Sequence, residues 1–346
     1  MPATATDTEM PVNITKAEFY SSQADERLLA GFVYAFITVF MFIPYCISLH
    51  IIKESKSIYD PAFRLFALNM GLADLELMTL VGIFPAVTYF LPFPVSFSVY
   101  RVLGAFSADA WFTYAMLAQM MSLNRFIGVF CPVKAKAIYT RRNTLIILVF
   151  CWIQGLIWAA FYLKPNVALY FDSKQNGVMY DFRFNGTEKV FLANTMFNYA
   201  HAASLCLIYG LIYLKVRHDR KQILDPTLAN NRKKENKVLI QACVICSMDI
   251  AVVATWAVFQ KFATAKYALF IATIVALFSS GSTGYLYILM NSAVRQKFAS
   301  IVSRCWCRNI GQTPNHKVRK DEYGIQSIPT MNDSEYLQFM DTDVML

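Results

Sequence analysis

The sequence predicts an all-α membrane protein, a seven-transmembrane helix bundle with a short amphipathic helix after the last span. Three observations predict it. Apolar residues make up 56% of the 346 positions and charged residues 16%, against roughly 25% charged in soluble domains. Too few charges remain to coat a water-exposed surface, so most of the outer surface must meet lipid. Seven apolar runs each supply the about 20 residues a helix needs to cross the hydrocarbon core. The Lys and Arg residues collect in alternate loops, as the orientation rule for membrane proteins requires.

The runs cover 28–52, 63–90, 99–130, 143–163, 191–216, 236–260 and 267–290. Each is expected to be helical, because a backbone in lipid must satisfy its hydrogen bonds within itself. The second and third are the least cleanly bounded, since Pro85, Pro92 and Pro94 interrupt the region between them. Loops on one side carry 19 Lys and Arg, among them Lys53, Arg64, Arg141 and the eight from Lys215 to Lys237, against 9 on the other. The excess marks the cytoplasm. That puts the N-terminus outside and the C-terminus inside, as an odd number of spans demands. The expected domains are an extracellular tail over 1–27, which lacks a cleaved-signal pattern, the helical domain over 28–304, and a disordered cytoplasmic tail over 305–346.

Past the last span, Val294, Phe298 and Ile301 share one face of a short stretch, with Arg295, Lys297 and Arg304 on the other. That pattern suits a helix lying on the inner membrane surface. Cys305 and Cys307 follow it beside basic residues and are candidates for palmitoylation. Outside, Asn13-Ile-Thr and Asn185-Gly-Thr are glycosylation sequons; Asn332-Asp-Ser falls inside and is expected to stay unused. None of the eight cysteines lies in an outer loop, so no disulfide is expected to clip the outer surface. Cys243-Val-Ile-Cys246 sits within an apolar run and reads as two small packing side chains.

A charge in the membrane is costly and needs an account. Asp74 and Asp249 should face the bundle interior, with no Lys or Arg deep in any span to pair with them. Asp74 is placed to hold a sodium ion or a proton, or to serve as a structural acid bonded to neighbouring helices. Glu76 and Asp109 are expected at polar gaps near their helices' edges. Catalytic classes fail on inventory. Only four histidines occur, at 50, 201, 218 and 316, no His/Asp/Glu set has metal spacing, and no nucleophile–base pair is evident. No cofactor is expected beyond a sodium ion near Asp74. Lys266 sits at the mouth of the seventh span, so a retinal Schiff base is not expected. The net charge of +9 comes without a phosphate loop or a basic stripe interleaved with aromatics. It belongs to membrane topology, and no nucleic-acid partner is expected.

Four motifs in order carry a resemblance. Leu68-Asn-Met-Gly-Leu-Ala-Asp74-Leu lies in span two. Ser122-Leu-Asn-Arg125-Phe ends span three, with Pro132 beyond it. Trp152 lies in span four. Thr283-Gly-Tyr-Leu-Tyr287 ends span seven, followed by Asn291, Arg295 and Phe298. Together they resemble the rhodopsin-like G-protein-coupled receptors over residues 28–304. The departures are informative. Asn124 replaces the acid before Arg125, Thr283-Gly284 replaces Asn-Pro, Cys46 replaces the span-one Asn, and Tyr100 stands where the disulfide Cys is expected. With Ile43-Pro-Tyr-Cys-Ile in span one and Lys237-Val-Leu-Ile-Gln-Ala-Cys in span six, the chain is most similar to the nematode serpentine chemoreceptors, in the group holding classes v, x and t.

The resemblance implies a chemosensory receptor in the plasma membrane, in sensory cilia for an olfactory role. It would bind an external small molecule and activate a heterotrimeric G protein. Asn124, Arg125 and Phe126 would form the coupling switch, with Glu235 as resting partner of Arg125 and Tyr287 rearranging with it. Asp74, Asp249 and Thr283 would form the intramembrane polar network. Ser107, Trp111, Tyr199, His201 and Trp256 would face the ligand. Ser107 stands where amine receptors carry an acid, which disfavours an amine. The basic inner loops would meet an acidic partner and anionic lipid. Ser327, Thr330, Ser334 and Thr342 would serve a receptor kinase and, through it, arrestin. A neuropeptide or small-transmitter receptor of the same fold is the alternative, discriminated by ligand class. A seven-helix transporter or channel is a further one, although the halves show no internal repeat.

Overall fold

The computed structural model describes residues 16–55, 60–91, 95–220, 226–259 and 267–309. Helices stand at all seven apolar runs. They are α1 (Lys16–Glu54), the pair α2 (Pro61–Met78) and α3 (Phe84–Phe90), α4 (Phe97–Phe130), α6 (Arg141–Tyr162), α7 (Thr187–Arg220), α8 (Pro226–Phe259) and α9 (Ala268–Met290). A short α5 (Pro132–Ile138) follows α4, and α10 (Ser292–Asn309) follows α9. Asp60 caps α2 by accepting from the N–H groups of Ala62 at 3.0 Å and Phe63 at 3.1 Å. Thr140 caps α6 through Asn143 N–H. Both serve donors that a helix start leaves unpaired.

The chain is an all-α, multi-span membrane-helix bundle. Five described stretches are long and apolar enough to cross a membrane: Asp25–Glu54, Pro61–Phe90, Arg141–Tyr162, Thr187–His218 and Ala268–Met290. The other two runs differ for physical reasons. α4 is enclosed by α2, α6, α7 and the outer loop. A helix surrounded by protein is free to carry polar groups, and α4 carries Arg101, Asp109, Gln119 and Arg125. In α8 the described apolar part is the shorter Cys243–Phe259. Large apolar side chains such as Phe36, Phe40, Ile146, Phe150 and Leu207 are exposed, as a lipid-facing surface requires. Tyr34, Tyr45, Tyr162 and Tyr287 are buried inside.

Two features depart from expectation. Pro85 does not break the second helix. Residues Thr79–Ile83 form a π-helical turn in which Phe84 N–H bonds the Thr79 carbonyl, five residues back. Pro85 then falls in the first turn of α3, where its missing N–H costs nothing. Asp109 does not sit at a helix edge. It is buried where α4 meets α6, accepting from Thr113 Oγ1 at 3.3 Å. Gly155 allows that approach, because a Cβ there would strike Thr113 Oγ1 and Asp109 Oδ1.

The outer loop between α6 and α7 folds into an antiparallel hairpin, β1 (Leu169–Asp172) and β2 (Gly177–Tyr180), with Leu169 opposite Tyr180 and Asp172 opposite Gly177. It is tied to the bundle on all sides. The hydroxyls of Tyr34 and Tyr89 both donate to Asn176, to its carbonyl at 2.7 Å and its side-chain oxygen respectively. Val178 N–H bonds Thr273 Oγ1 at 3.2 Å, and Ala168 N–H bonds Thr187 Oγ1 at 3.0 Å. Gly104 of α4 lies directly under the Leu169 carbonyl. Tyr100, at the position of the missing disulfide, has its ring 6.1 Å from that of Phe171. Ring packing and hydrogen bonds therefore hold the loop where a covalent bond does not.

Candidate functional site

Three groups of residues stack along α4, from the hairpin to the end that carries Arg125. The outermost surrounds a cavity of about 90 Å³. Its walls come from α4 (Ser107, Trp111, Phe112), α7 (Asn198), α8 (Val252, Val253, Trp256), α9 (Ala276) and α2 with its π turn (Leu77, Val81). Leu169, Val178 and Tyr180 of the hairpin line it as well. Trp111 Nε1 donates to Asn198 Oδ1 at 2.9 Å, and Asn198 Nδ2 donates to Asn194 Oδ1 at 2.9 Å. Asn194 bonds the Tyr180 hydroxyl, which meets the Tyr162 hydroxyl at 2.9 Å. Phe112 and Trp158 stack face to face behind this wall, 3.9 Å apart.

Of the five residues expected to face a ligand, Ser107, Trp111 and Trp256 line this cavity. Two do not, and the expectation is corrected for them. Tyr199 is 54% exposed, on the outward face of α7. His201 is buried beside Phe197, its ring stacked at 6.3 Å and its Nε2 unpartnered among the described residues. Neighbouring helix positions project about 100° apart, so the face that turns Asn198 inward turns Tyr199 out. Asn198 was missed although it is one residue away. Tyr180 and Val178 were missed with the hairpin itself.

Below the cavity lies a network of acids and tyrosines. Trp111 stacks with Tyr114 at 6.2 Å. The Tyr114 hydroxyl donates to Asp249 of α8 at 3.2 Å. Asp74 of α2, 1% exposed, accepts from the Tyr45 hydroxyl at 2.7 Å and has Ser280 as a second hydroxyl partner. Thr283 lies close to Tyr45 on the same side of the network. The donor set is oxygen throughout, the type a hard cation takes. One oxygen of Asp74 is nevertheless already engaged by the Tyr45 proton. Among the described residues no group of three or more His, Cys, Asp or Glu could hold a metal ion.

At the inner end the Arg125 guanidinium lies 4.5 Å over the Phe63 ring, a cation–π contact. Tyr209, Asp60 and Tyr287 lie within its electrostatic reach. Tyr209 and Asp60 were not anticipated. Phe126 packs on Phe130 at 4.5 Å and on the buried cluster of Leu205, Tyr209, Ile212 and Cys246. Asn124 is half-buried beside Arg125. Tyr287 is 2% exposed. The side chains of Glu235, Cys305 and Cys307 lie outside the described residues, as do Asn13 and the tail residues Ser327, Thr330, Ser334 and Thr342. Asn185 is exposed in the turn before α7.

Trp152 Nε1 donates to Asn69 Oδ1 at 3.0 Å, tying α6 to α2. Two of the four resemblance motifs thus meet in space.

The chain is similar to known proteins. Galanin receptor type 1 of Mus musculus is 22% identical over 284 residues, covering 78% of this chain and 79% of the relative. The Rattus norvegicus receptor is 23% identical with the same coverage. The crystal structure of squid rhodopsin superposes with a TM-score of 0.64 at 16% identity and covers 93% of each chain, which shows a common fold. The model of the serpentine type 7TM GPCR chemoreceptor family Srt matches residues 7–310. That match narrows the three classes of the resemblance to one. Spanning the whole bundle and both of its functional ends, it establishes that the chain belongs to the Srt serpentine chemoreceptors, G-protein-coupled receptors with a chemosensory signalling role through a heterotrimeric G protein, and not to an enzyme family.

Proposed function

We propose that this receptor crosses the plasma membrane seven times, N-terminus outside, and takes an external small molecule into the cavity beneath the hairpin. Residues 28–304 form the receptor domain, with α10 on the inner membrane surface. Residues 1–27 and 305–346 are its outer and cytoplasmic tails. Sensory cilia are the expected location, with glycans at Asn13 and Asn185 and palmitate at Cys305 and Cys307. The tail is the expected meeting place for a receptor kinase and arrestin.

One observation carries the reading. The cavity touches α4 and α8 at their outer halves, and Arg125 stands at the other end of α4. A ligand pressing Trp111 and Trp256 works on the helix pair that Tyr114 and Asp249 join below. The next contacts along α8 are Cys246 and Tyr209, and Tyr209 is a neighbour of Arg125. These packed pairs form a continuous path from ligand to coupling face. Physical adjacency becomes coupling only if the path has two arrangements. Outward movement of α8 would supply the second, freeing Arg125 for the G protein's terminal helix. Asp74, with Ser280 and Asp249 near it, would hold a sodium ion or a proton in one of the two states.

The test is nucleotide exchange on purified heterotrimers, using membranes that bear the native chain or Arg125→Ala at equal surface expression. Exchange above empty membranes that falls with Arg125→Ala is the expected result. Exchange that Arg125→Ala leaves unchanged would remove Arg125 from the switch. Ion flux in these membranes without any exchange would favour the channel or transporter alternative.

A further inference from the structure

The lining of the upper cavity has a chemistry of its own. Among the described residues, no Asp, Glu, Lys, Arg or His lines it. Asp249 lies one turn of α8 below Val252 and Val253, faces a separate small cavity and is bonded to Tyr114. A charged ligand in the upper cavity would lose its hydration and meet no counter-charge, which is among the costliest burials a binding site can impose.

The polar side chains of the wall are largely committed to one another. A chain of hydrogen bonds runs from Trp111 through Asn198, Asn194 and Tyr180 to Tyr162. Ser107 Oγ spends its proton on the Gly104 carbonyl at 2.8 Å, which leaves its lone pairs to accept. Asn198 has a second amide hydrogen beyond the one given to Asn194. The site therefore offers Ser107 as an acceptor and Asn198 as a donor on the α4–α7 side, one phenol proton left over from the Tyr162–Tyr180 pair, and apolar surface elsewhere. Its volume of about 90 Å³ corresponds to roughly six to nine water-sized units, taking about 10–15 Å³ for each. A molecule with a similar number of non-hydrogen atoms fills it.

We propose that the ligand class of this receptor is a small uncharged molecule with a mainly apolar body and a single hydroxyl or carbonyl group, which Ser107 and Asn198 receive. The proposal rests on the cavity being the ligand site. The hairpin adds selection by shape, because Leu169, Val178 and Tyr180 line the cavity from its side while Tyr34, Tyr89 and Thr273 anchor the loop.

Three six-carbon probes that differ only in their end group test the class: 1-hexanol, hexylammonium and hexanoate. Binding is measured calorimetrically on the purified full-length chain in lipid nanodiscs. Ala276→Phe, which fills the cavity, serves as the blank for partition into lipid, and Val252→Phe replaces it if that variant does not fold. The expected result is cavity-dependent binding of 1-hexanol, lost on filling and at least about tenfold tighter than that of either charged probe, given the cost of burying an unpaired charge. Hexanol binding that is absent or indifferent to filling overturns the proposal, as does tighter cavity-dependent binding of either ion. The readout needs no G protein. Binding without nucleotide exchange would therefore count against coupling and leave the ligand class standing.

Discussion

Tyr45 and Asp74 show how a buried acid is kept without a basic partner. The phenol donates to Asp74 Oδ2 at 2.7 Å from a side chain that is itself fully enclosed. Tyr45→Phe keeps the ring and deletes only the donor. Leaving a buried acceptor unpaired costs about 1–3 kcal/mol, so the variant should melt measurably lower than the native chain in a thermal unfolding assay. Tyr114→Phe should cost less, since its contacts with Asp249 are long, at 3.2 and 3.4 Å. An equal loss for the two would contradict the geometric ranking. At the outer surface, Asp181 accepts from Arg183 through Nε at 2.8 Å and Nη2 at 2.6 Å. These bonds hold its carboxyl below the usual carboxylate range. A depressed acid contributes stability above its unfolded value, and that contribution is lost as pH falls through the lowered folded one. Protection factors for amide exchange in residues 181–187 should therefore be level from neutral pH down to about 4 and fall below it, the ordinary Asp value being about 3.9. Arg183→Ala should remove most of that pH-dependent step. Arg183 is 81% exposed, so screening keeps the effect local and small.

The hairpin is an element of the cavity wall, and Thr187 is its hinge to α7. Thr187 belongs to the Asn185 sequon, yet its hydroxyl also accepts from Ala168 N–H. Asn185→Gln and Thr187→Ala should both remove a glycan, while only Thr187→Ala should lower the melting temperature of enzymatically deglycosylated protein. Equal melting of the two would mean that the hydroxyl has no structural part. Gly104→Ala puts a methyl against the Leu169 carbonyl and should loosen the same loop from the α4 side, read as faster exchange over residues 168–180. This element was the one the sequence reading missed, for a physical reason. Its strands are four residues each, too short for alternation to stand out. The available signal was Asn176-Gly177 at the end of the polar stretch Ser173-Lys-Gln, a short-range turn mark, with Asn176 taking the left-handed φ of 53°. The helices were legible because each had to provide a long apolar run. Their ends were not, since α1 and α7 extend beyond those runs into polar sequence. Within the site, position along a helix was readable and rotation about it was not. Ser107, Trp111 and Trp256 line the cavity, whereas Tyr199 lies one step off the inward face.

At the scale of the whole molecule, charge decides orientation and burial decides what the interior can hold. The bundle departs from a soluble protein: carboxyls such as Asp74, Asp109 and Asp249 are enclosed while large apolar side chains such as Phe36, Phe150 and Leu207 face outward. That inversion fixes which surface meets lipid but treats the two sides of the membrane alike, so orientation must come from the loops. The Lys and Arg excess assigns the loops after α1, α4 and α7 to the cytoplasm. The hairpin and the upper cavity then fall outside, and Arg125 inside. The chain contains its own test of this assignment, because sugar is added only on the side that becomes extracellular. Asn13 and Asn185 belong to that side and Asn332 to the other. Glycosidase treatment of the expressed receptor should produce a gel shift that Asn13→Gln and Asn185→Gln reduce stepwise and together abolish, while Asn332→Gln leaves it intact. A shift that depends on Asn332 would invert the bundle. The cavity would then face the cytoplasm and Arg125 the outside, where no G protein could reach it. Orientation therefore ranks ahead of any single side chain in what the receptor reading requires.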